Sequence, residues 1–194
     1  INIGIKMDLT VIVPLLDRPK FTKIWLNQNI KKDIRYIFAD GSKDDHHIEI
    51  FNNYKNSNID YIKYKHDKEI NDFINKMAKT SNLVKTKYVV TSDNDDFLNY
   101  RGIQKCINFL DNNSNYQLAS GTTMFVTQIN DKYKFSFNYA SSFDLDSRSG
   151  LDGIQKYLGR FTNEKKSNYV WYSVYRAEVF SSIWNEMLNT NIRD

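Results

Sequence analysis

Short apolar runs alternate with stretches of helical periodicity through the first 110 residues of the chain. Runs rich in β-branched and aromatic residues predict buried strands at 9–13, 34–39, 59–64 and 88–90. Apolar residues at helical spacing predict three helices, on the faces Phe21, Ile24, Trp25; Ile70, Phe73, Ile74, Met77, Ala78; and Ile103, Cys106, Ile107, Leu110. Such alternation is typical of βαβ units, so we expect a mostly parallel sheet flanked by helices.

The rhythm changes after residue 115, where the predicted strands become shorter and lie closer together. We expect strands at 117–120, 124–128, 133–138 and 169–175, with a hairpin turn at Asn130-Asp131. Helices are expected around Leu151, Ile154, Leu158 and through Val179, Phe180, Ile183, Trp184, Met187. The predicted fold class is α/β, a Rossmann-like, mostly parallel sheet flanked by helices, with a small antiparallel β portion in the second half.

The composition favours one folded domain over residues 1–194, with halves at about 8–115 and about 116–194. A hydrophobic content of 41% excludes disorder, and the net charge of +4 lacks the like-charged blocks expected of a nucleic-acid partner. The single cysteine excludes an internal disulfide, and no signal peptide or transmembrane segment is predicted. We expect a cytoplasmic protein, free or peripheral at the inner face of the membrane, and a chain truncated at its C-terminus.

Three carboxylates, Asp93, Asp95 and Asp96, directly follow the fourth predicted strand. Like charges this close repel one another, and a bound cation is the simplest way to hold them together. Hard oxygen ligands suit Mg²⁺ or Mn²⁺, which proteins usually share with substrate phosphates. The stretch therefore predicts a metal-assisted enzyme acting on a nucleotide-diphosphate substrate, with a solvated acidic loop as the alternative interpretation.

Two other predicted strands end in polar motifs, and ligands of open α/β sheets bind at such strand ends. The first leads into Pro14-Leu15-Leu16-Asp17-Arg18, and the second leads into Asp40-Gly41-Ser42. Together with Asp93-Asn94-Asp95-Asp96, these motifs resemble, in order and spacing, the inverting family-2-like glycosyltransferases of the GT-A fold, bacterial type. The resemblance implies transfer of a sugar from a nucleotide-diphosphate donor, typically UDP-linked, to a hydroxyl of a glycan, lipid-linked or other acceptor.

The same resemblance implies which residues bind the nucleoside end of the donor. Pro14, Leu16 and Asp17 would lie along the nucleotide, and Asp40 would accept a hydrogen bond from the base. The family often has an aromatic residue stacked on the base two places after the proline. Leu16 stands there in this sequence, so the chain offers no aromatic partner at that position.

At the phosphate end, the resemblance implies a metal site built from the acidic stretch. Asp95 would bind the metal that bridges the two phosphates, Asp96 would support it, and Asp93 would contact the ribose or help hold the metal. Lys76 is similar to a basic residue of a bacterial subgroup and would reach the diphosphate. The sequence itself favours a surface lysine over this diphosphate contact.

The general base is the part of the site that the sequence leaves unassigned. An acceptor hydroxyl must lose its proton during transfer, usually to a carboxylate. The family often supplies it from a late Glu-Asp pair, and the second half of this chain has none. The candidates are Asp152, Glu186 and Asp194, or a residue beyond the end of the chain.

Other interpretations of these residues fit the sequence less well. A haloacid-dehalogenase-type phosphatase carries its acidic motif on the first strand, whereas this motif follows the fourth. A nucleotidyltransferase needs a Gly-rich basic loop after the first strand, and residues 15–20 contain no glycine. Phe97 breaks the pattern of a calcium-binding EF-hand loop. A non-catalytic sugar-nucleotide-binding domain remains open. His46 and His47 lack the spacing of zinc ligands, so a solvated loop is predicted there. The aromatic residues of 169–175 would either line a sugar site or belong to a half-buried strand.

Overall fold

The computed structural model describes residues 7–54, 56–121, 123–129, 132–138 and 170–190. The strands are β1 Leu9–Leu15, β2 Arg35–Asp40, β3 Ile59–Lys63, β4 Tyr88–Thr91, β5 Leu118–Ala119, β6 Thr123–Ile129, β7 Lys132–Asn138 and β8 Val174–Arg176. The helices are α1 Pro19–Asn29, α2 His46–Asn53, α3 Ile70–Ser81, α4 Tyr100–Asn112 and α5 Ala177–Asn189, with a 3-10 helix at Val170–Tyr172. The strand–helix alternation predicted for the first half is confirmed.

Six of the strands form one sheet, in the order β3-β2-β1-β4-β8-β5. The four strands of the first half are parallel, with Val13 opposite Phe38 and Val11 opposite Val90. Only β8 runs the other way, between β4 and β5. The sheet is therefore mostly parallel, as predicted, and the second half of the chain completes it.

Helices cover both faces of this sheet, and alternate strand residues point into two separate cores. One core joins Val11 and Phe38 with Trp25 of α1 and Leu110 of α4. The other joins Ile12, Ile37 and Val89 with residues of α3 and α5, among them Ile74, Met77, Phe180 and Trp184. Strands that are apolar on both faces are the reason that β1, β2 and β4 read as continuous apolar runs in the sequence.

The sequence predicted α1 correctly, but of its three predicted apolar positions only Trp25 is buried. Phe21 and Ile24 are 45% and 48% exposed, and the buried positions are Thr22, Trp25, Leu26 and Asn29. Two of these buried residues are polar and make hydrogen bonds to the loop after β4. A pattern search for apolar residues cannot find a helix face that is buried through hydrogen bonds.

Two further predictions need correction. Residues 46–53 are a helix, not a solvated loop, and His47 on this helix is buried. The predicted strand at 169–175 is confirmed only near its end, because Val170–Tyr172 turns as a 3-10 helix before β8. The helix predicted around Leu151 lies outside the described residues.

The remaining strands, β6 and β7, pair with each other in a second, antiparallel sheet. Their pairing confirms the predicted hairpin, although its turn residues lie outside the described part of the chain. Among the helices that the structure describes, none is long and apolar enough to cross a membrane.

Candidate functional site

The carboxyl ends of β1, β2 and β4 meet at one edge of the sheet and bring the three sequence motifs together. The Gly41 N–H donates to the Leu15 carbonyl at 2.9 Å, and the Ser92 N–H donates to the Ile12 carbonyl at 3.0 Å. Parallel pairing thus places each motif directly after its strand, at the edge where open α/β sheets bind ligands.

A strained turn connects β1 to α1. Asp17 and Arg18 both adopt left-handed backbone conformations, with φ of 56° and 57°. Non-glycine residues hold this conformation only where their surroundings enforce it, and such residues cluster at functional sites. Here the Asp17 N–H donates to Ser42 Oγ at 2.7 Å, and Arg18 Nη1 donates to Asp95 Oδ2 at 2.6 Å. The turn therefore links the first motif to both of the others, and it leaves Leu16 exposed.

Asp40 lies at the predicted edge, but its carboxylate is fully buried. Oδ1 accepts from the Ser42 N–H at 2.8 Å and faces His47 Nδ1 at 3.5 Å, and Oδ2 accepts from Tyr61 at 2.6 Å and Lys63 at 3.2 Å. Burial acts to raise the pKa of Asp40, but the hydrogen bonds from His47, Ser42 and Tyr61 outweigh it and hold the pKa well below its usual range. For Asp40 to accept a hydrogen bond from a base, one of these donors would have to move.

Lys76 is buried, so the surface interpretation of this lysine is wrong. Its side chain is 2% exposed, and its ammonium donates to the Leu15 carbonyl at 3.1 Å and forms an ion pair with Asp67, which the sequence analysis missed. Burial lowers the pKa of Lys76, and the Asp67 charge opposes that shift. Gly41 makes room for this pair, because a Cβ there would lie 2.3 Å from Asp67 Cγ. Lys76 thus lies at the carboxyl end of β1, and its contact with the diphosphate stays a prediction.

The acidic stretch forms one compact cluster after β4. One carboxylate oxygen from each of Asp93, Asp95 and Asp96 lies within 4.8 Å of the others. Asp95 is exposed and paired with Arg18, whereas Asp93 and Asp96 are partly buried. The structure therefore brings together the three residues that the sequence predicted as metal ligands.

Asp93 accepts hydrogen bonds from two aromatic residues that come almost 80 positions later. Trp171 Nε1 donates to Oδ1 at 3.2 Å, and the Tyr172 hydroxyl donates to Oδ2 at 2.9 Å. The Trp171 carbonyl in turn accepts from Thr91 at the end of β4, which fixes the 3-10 helix over the strand end. The sequence analysis assigned these aromatics to a strand or a sugar site, and not to the support of Asp93.

Asp96 carries the clearest signature of a cation site. Within the described part of the chain, its buried Oδ2 has no hydrogen-bond partner. Burial raises the pKa of Asp96, the nearby Tyr172 hydroxyl opposes this shift, and the charges of Asp93 and Asp95 raise the pKa further. A buried, unpartnered carboxylate oxygen beside two other carboxylates is the donor set that a hard divalent cation prefers. The residues present fit Mg²⁺ or Mn²⁺.

The acidic loop is held from below by polar groups of α1. Trp25 Nε1 donates to Ser92 Oγ at 3.0 Å, and the Asn29 amide contacts the Asp96 carbonyl at 3.2 Å and the Leu98 N–H at 2.8 Å. These bonds explain why α1 buries polar side chains. Their sequence signal is the spacing of Thr22, Trp25 and Asn29 on one helix face.

The candidates for the general base remain unassigned. Asp152 and Asp194 lie outside the described residues, and Glu186 lies on α5, the helix that packs against α3. The roles of all three as general base stay predictions.

Comparison with known proteins places this arrangement in a family. The sequence profile of glycosyl transferase family 2 matches residues 10–184, most of the chain and all three motifs. The chain belongs to glycosyltransferase family 2. No curated protein matches the sequence.

Solved structures with the same fold include S. aureus TarS 1-349 in complex with UDP, at 17% identity and a TM-score of 0.55 over 91% of this chain and 49% of that one. The same protein in complex with UDP-GlcNAc is 16% identical, with a TM-score of 0.53 over 91% of this chain and 47% of that one. The 4-diphosphocytidyl-2C-methyl-D-erythritolsynthase of Anaerococcus prevotii DSM 20548 is 12% identical, with a TM-score of 0.50 over 97% of this chain and 78% of that one. The chain thus spans about half of the TarS chains, and the likeness shows a shared GT-A-like fold.

Proposed function

We propose that this family 2 glycosyltransferase transfers a sugar from a UDP-linked donor to a hydroxyl acceptor, with a divalent cation and inversion at the sugar carbon. One observation carries the proposal: Asp93, Asp95 and Asp96 converge after β4, and a buried oxygen of Asp96 lacks a partner among the described residues. The solved TarS complexes with UDP and UDP-GlcNAc support the choice of nucleotide.

The residues at the sheet edge divide the work of binding the donor. Asp40, Ser42 and the β1–α1 turn shape the nucleoside end, and the acidic cluster faces the diphosphate end. A bound Mn²⁺ or Mg²⁺ offsets the negative charge that develops on the departing diphosphate. Arg18 already neutralises part of the cluster at Asp95, and it is 51% exposed, which leaves it accessible to a phosphate oxygen.

The acceptor side sets the reaction class. The acceptor hydroxyl has to give up its proton to a carboxylate as it attacks the sugar carbon from the face opposite the diphosphate. The candidates for this base in the chain are Asp152, Glu186 and Asp194. The cytoplasmic location expected from the sequence belongs to this proposal as well.

A sugar-nucleotide-binding domain without turnover is the second candidate. It is favoured by the coverage of about half of the TarS chains, which leaves room for catalytic residues elsewhere in a longer protein. Donor binding is common to both candidates, and only turnover separates them.

A binding panel followed by a turnover assay tests the proposal. We expect UDP with Mn²⁺ to raise the thermal midpoint above that with GDP, CDP or ADP, and EDTA to abolish the shift. Ligand at about 100 times its Kd stabilises a fold by about 2.7 kcal/mol. Release of UDP from UDP-sugars supports an enzyme, binding without release supports the second candidate, and no metal-dependent shift with any nucleotide contradicts both.

A further inference from the structure

A buried chain of hydrogen bonds connects the Asp40–Ser42 loop to the acidic cluster through α2 and α1. His47 Nδ1 lies 3.2 Å from Ser42 Oγ and 3.5 Å from Asp40 Oδ1, and its Nε2 lies 3.0 Å from Thr22 Oγ1. Thr22 Oγ1 in turn accepts from the amide of Asn94 at 3.0 Å. Thr22, His47 and Asn94 are each at most 2% exposed.

The proton positions along this chain follow from its ends. The Asn94 amide nitrogen can only donate, so Thr22 Oγ1 accepts there, and the Thr22 hydroxyl hydrogen is available to Nε2 of His47. Nε2 is then the acceptor nitrogen, and the ring proton sits on Nδ1, pointing toward Ser42 and Asp40. In this arrangement each contact of the hydrogen-bond chain joins one donor to one acceptor.

Asn94 is the residue through which this chain reaches the cluster. It stands between Asp93 and Asp95, and its amide also contacts the Arg18 carbonyl at 3.4 Å. Both amide hydrogens are thereby fixed on α1 and on the turn before it. Because the three side chains are buried, breaking one of these hydrogen bonds leaves a polar group unpaired. The hydrogen bonds of this chain are therefore expected to form together.

We propose that His47 and Thr22 are positioning residues that hold the acidic cluster in register with the Asp40–Ser42 loop. The inference deepens the proposed function and rests on it for the identity of the ligand. Nucleoside contacts and cation contacts then belong to one rigid unit, so that occupancy of one end favours occupancy of the other. Neither residue touches the donor in this scheme.

Thr22→Val tests the hydrogen-bond chain with little change in the shape of the side chain. Valine fills the site of threonine but can neither accept from Asn94 nor donate to His47. Thr22→Ser keeps the hydroxyl and serves as the conservative variant. Thr10→Val is the matched control, because Thr10 is also fully buried and its hydroxyl bonds Thr86 before β4, at the opposite edge of the sheet.

The measured quantity is the ratio of the UDP dissociation constants in EDTA and in saturating MnCl₂, obtained by calorimetric titration of the whole chain. We expect Thr22→Val to lower this ratio at least about fivefold, the equivalent of one ordinary hydrogen bond. We expect Thr22→Ser and Thr10→Val to keep it near the wild-type value. A wild-type ratio in Thr22→Val overturns the proposal.

A double variant asks whether the two residues act through one chain. His47→Asn keeps a polar group near Ser42 but is too short to reach Thr22, so it should lower the ratio as Thr22→Val does. The two changes together should do no more than either alone, and additive effects contradict the proposal.

Hydrogen exchange of the ligand-free protein separates this proposal from the proposed function. Peptides covering residues 92–98 should exchange faster in Thr22→Val than in wild type or Thr10→Val. If the wild type binds no nucleotide, the proposed function fails while faster exchange still supports the positioning role. Unchanged exchange in these peptides overturns the positioning role whatever the nucleotide result.

Discussion

The carboxylates at the sheet edge occupy two different environments. Asp40 has no exposed surface and is surrounded by four donors, whereas Asp95 is exposed and forms an ion pair with Arg18. An enclosed carboxylate stabilises the fold through its charge, while an exposed one in a like-charged cluster contributes little before a cation arrives. Substitutions at the two positions should therefore differ in kind.

Asp95→Ala should remove the metal response and leave the fold intact. The exposed Arg18–Asp95 pair is worth at most about 1 kcal/mol, and the change also relieves repulsion by Asp93 and Asp96. We expect the free energy of unfolding in EDTA to change by less than about 1 kcal/mol. A thermal-shift titration with UDP and Mn²⁺ should show a flattened metal dependence.

Asp60→Ala is the matched control, since Asp60 also forms a partly exposed ion pair with an arginine, Arg35, but lies on β3 away from the cluster. It should keep the metal response. If Asp95→Ala unfolds the protein and residual nucleotide binding stays metal-dependent, the acidic stretch is structural.

Asp40→Asn should destabilise the protein in a pH-dependent way. Loss of the charge leaves the Lys63 ammonium without its buried partner, and we expect a cost of about 2 kcal/mol at pH 7. The folded pKa of Asp40 lies below the unfolded value of about 4, so its stabilising effect is present above that pH and is lost as the pH falls further. Urea unfolding from pH 7 to pH 3 should show the gap between wild type and variant closing.

Asp111→Asn provides the comparison for that experiment. Asp111 also accepts from a lysine and a tyrosine, Lys87 and Tyr88, but it is 44% exposed. Its substitution should have the smaller effect, and added salt should reduce that effect further. A gap for Asp40→Asn that stays constant with pH contradicts a role for the carboxylate charge.

At the scale of elements, Lys76 ties α3 to the end of β1 and to the loop before α3. Lys76→Met leaves Asp67 buried without its cation, and we expect a cost of about 3 kcal/mol in urea unfolding. Adding Asp67→Asn should recover a large part of that cost, because the uncompensated charge is then gone. Lys65→Met, at a lysine that is 81% exposed, should change little. Additive effects of Lys76→Met and Asp67→Asn contradict the coupling.

The sequence predicted helices and strands well where apolar residues followed a single helical or strand periodicity. It predicted them poorly where hydrogen bonds determined which side chains are buried. The parallel strands and α3, α4 and α5 follow directly from apolar spacing. The eight-residue α2 was missed because Ile48-Glu49-Ile50 alternates like a strand and His47 is buried by polar contacts. The exposed Phe21 was assigned to the buried face of α1 for the same reason.

The candidate site shows the same division. The metal cluster was predictable because its three carboxylates are adjacent in the sequence and follow a strand. The partners that control these carboxylates were not, since Trp171 lies almost 80 residues from Asp93 and Lys76 meets Asp67 through a loop. Contacts between elements distant in the chain depend on the packed fold, which local patterns do not encode.

At the scale of the whole molecule, the two halves share one sheet. β8 pairs with β4, and α5 packs against α3 over a core that includes Val89, Ile74 and Trp184. The 3-10 helix brings the donors to Asp93 from the same second half. The nucleotide-binding half predicted at about 8–115 is therefore structurally incomplete by itself.

A chain cut after residue 115 should fail to fold cooperatively. The cut removes β5, β8 and α5, and it exposes side chains such as Met77 and Val89 that are fully buried in the whole chain. Each large apolar side chain loses about 1.5–3 kcal/mol of burial, so about five such losses are comparable to a typical net stability of about 5–15 kcal/mol. Circular dichroism during a urea titration should show a gradual change instead of a sigmoidal transition.

Replacing residues 123–138 with a short Gly-Ser linker is the control, because β6 and β7 form a sheet of their own. That variant should keep the sigmoidal transition, and a sigmoidal transition in the 1–115 chain contradicts the prediction.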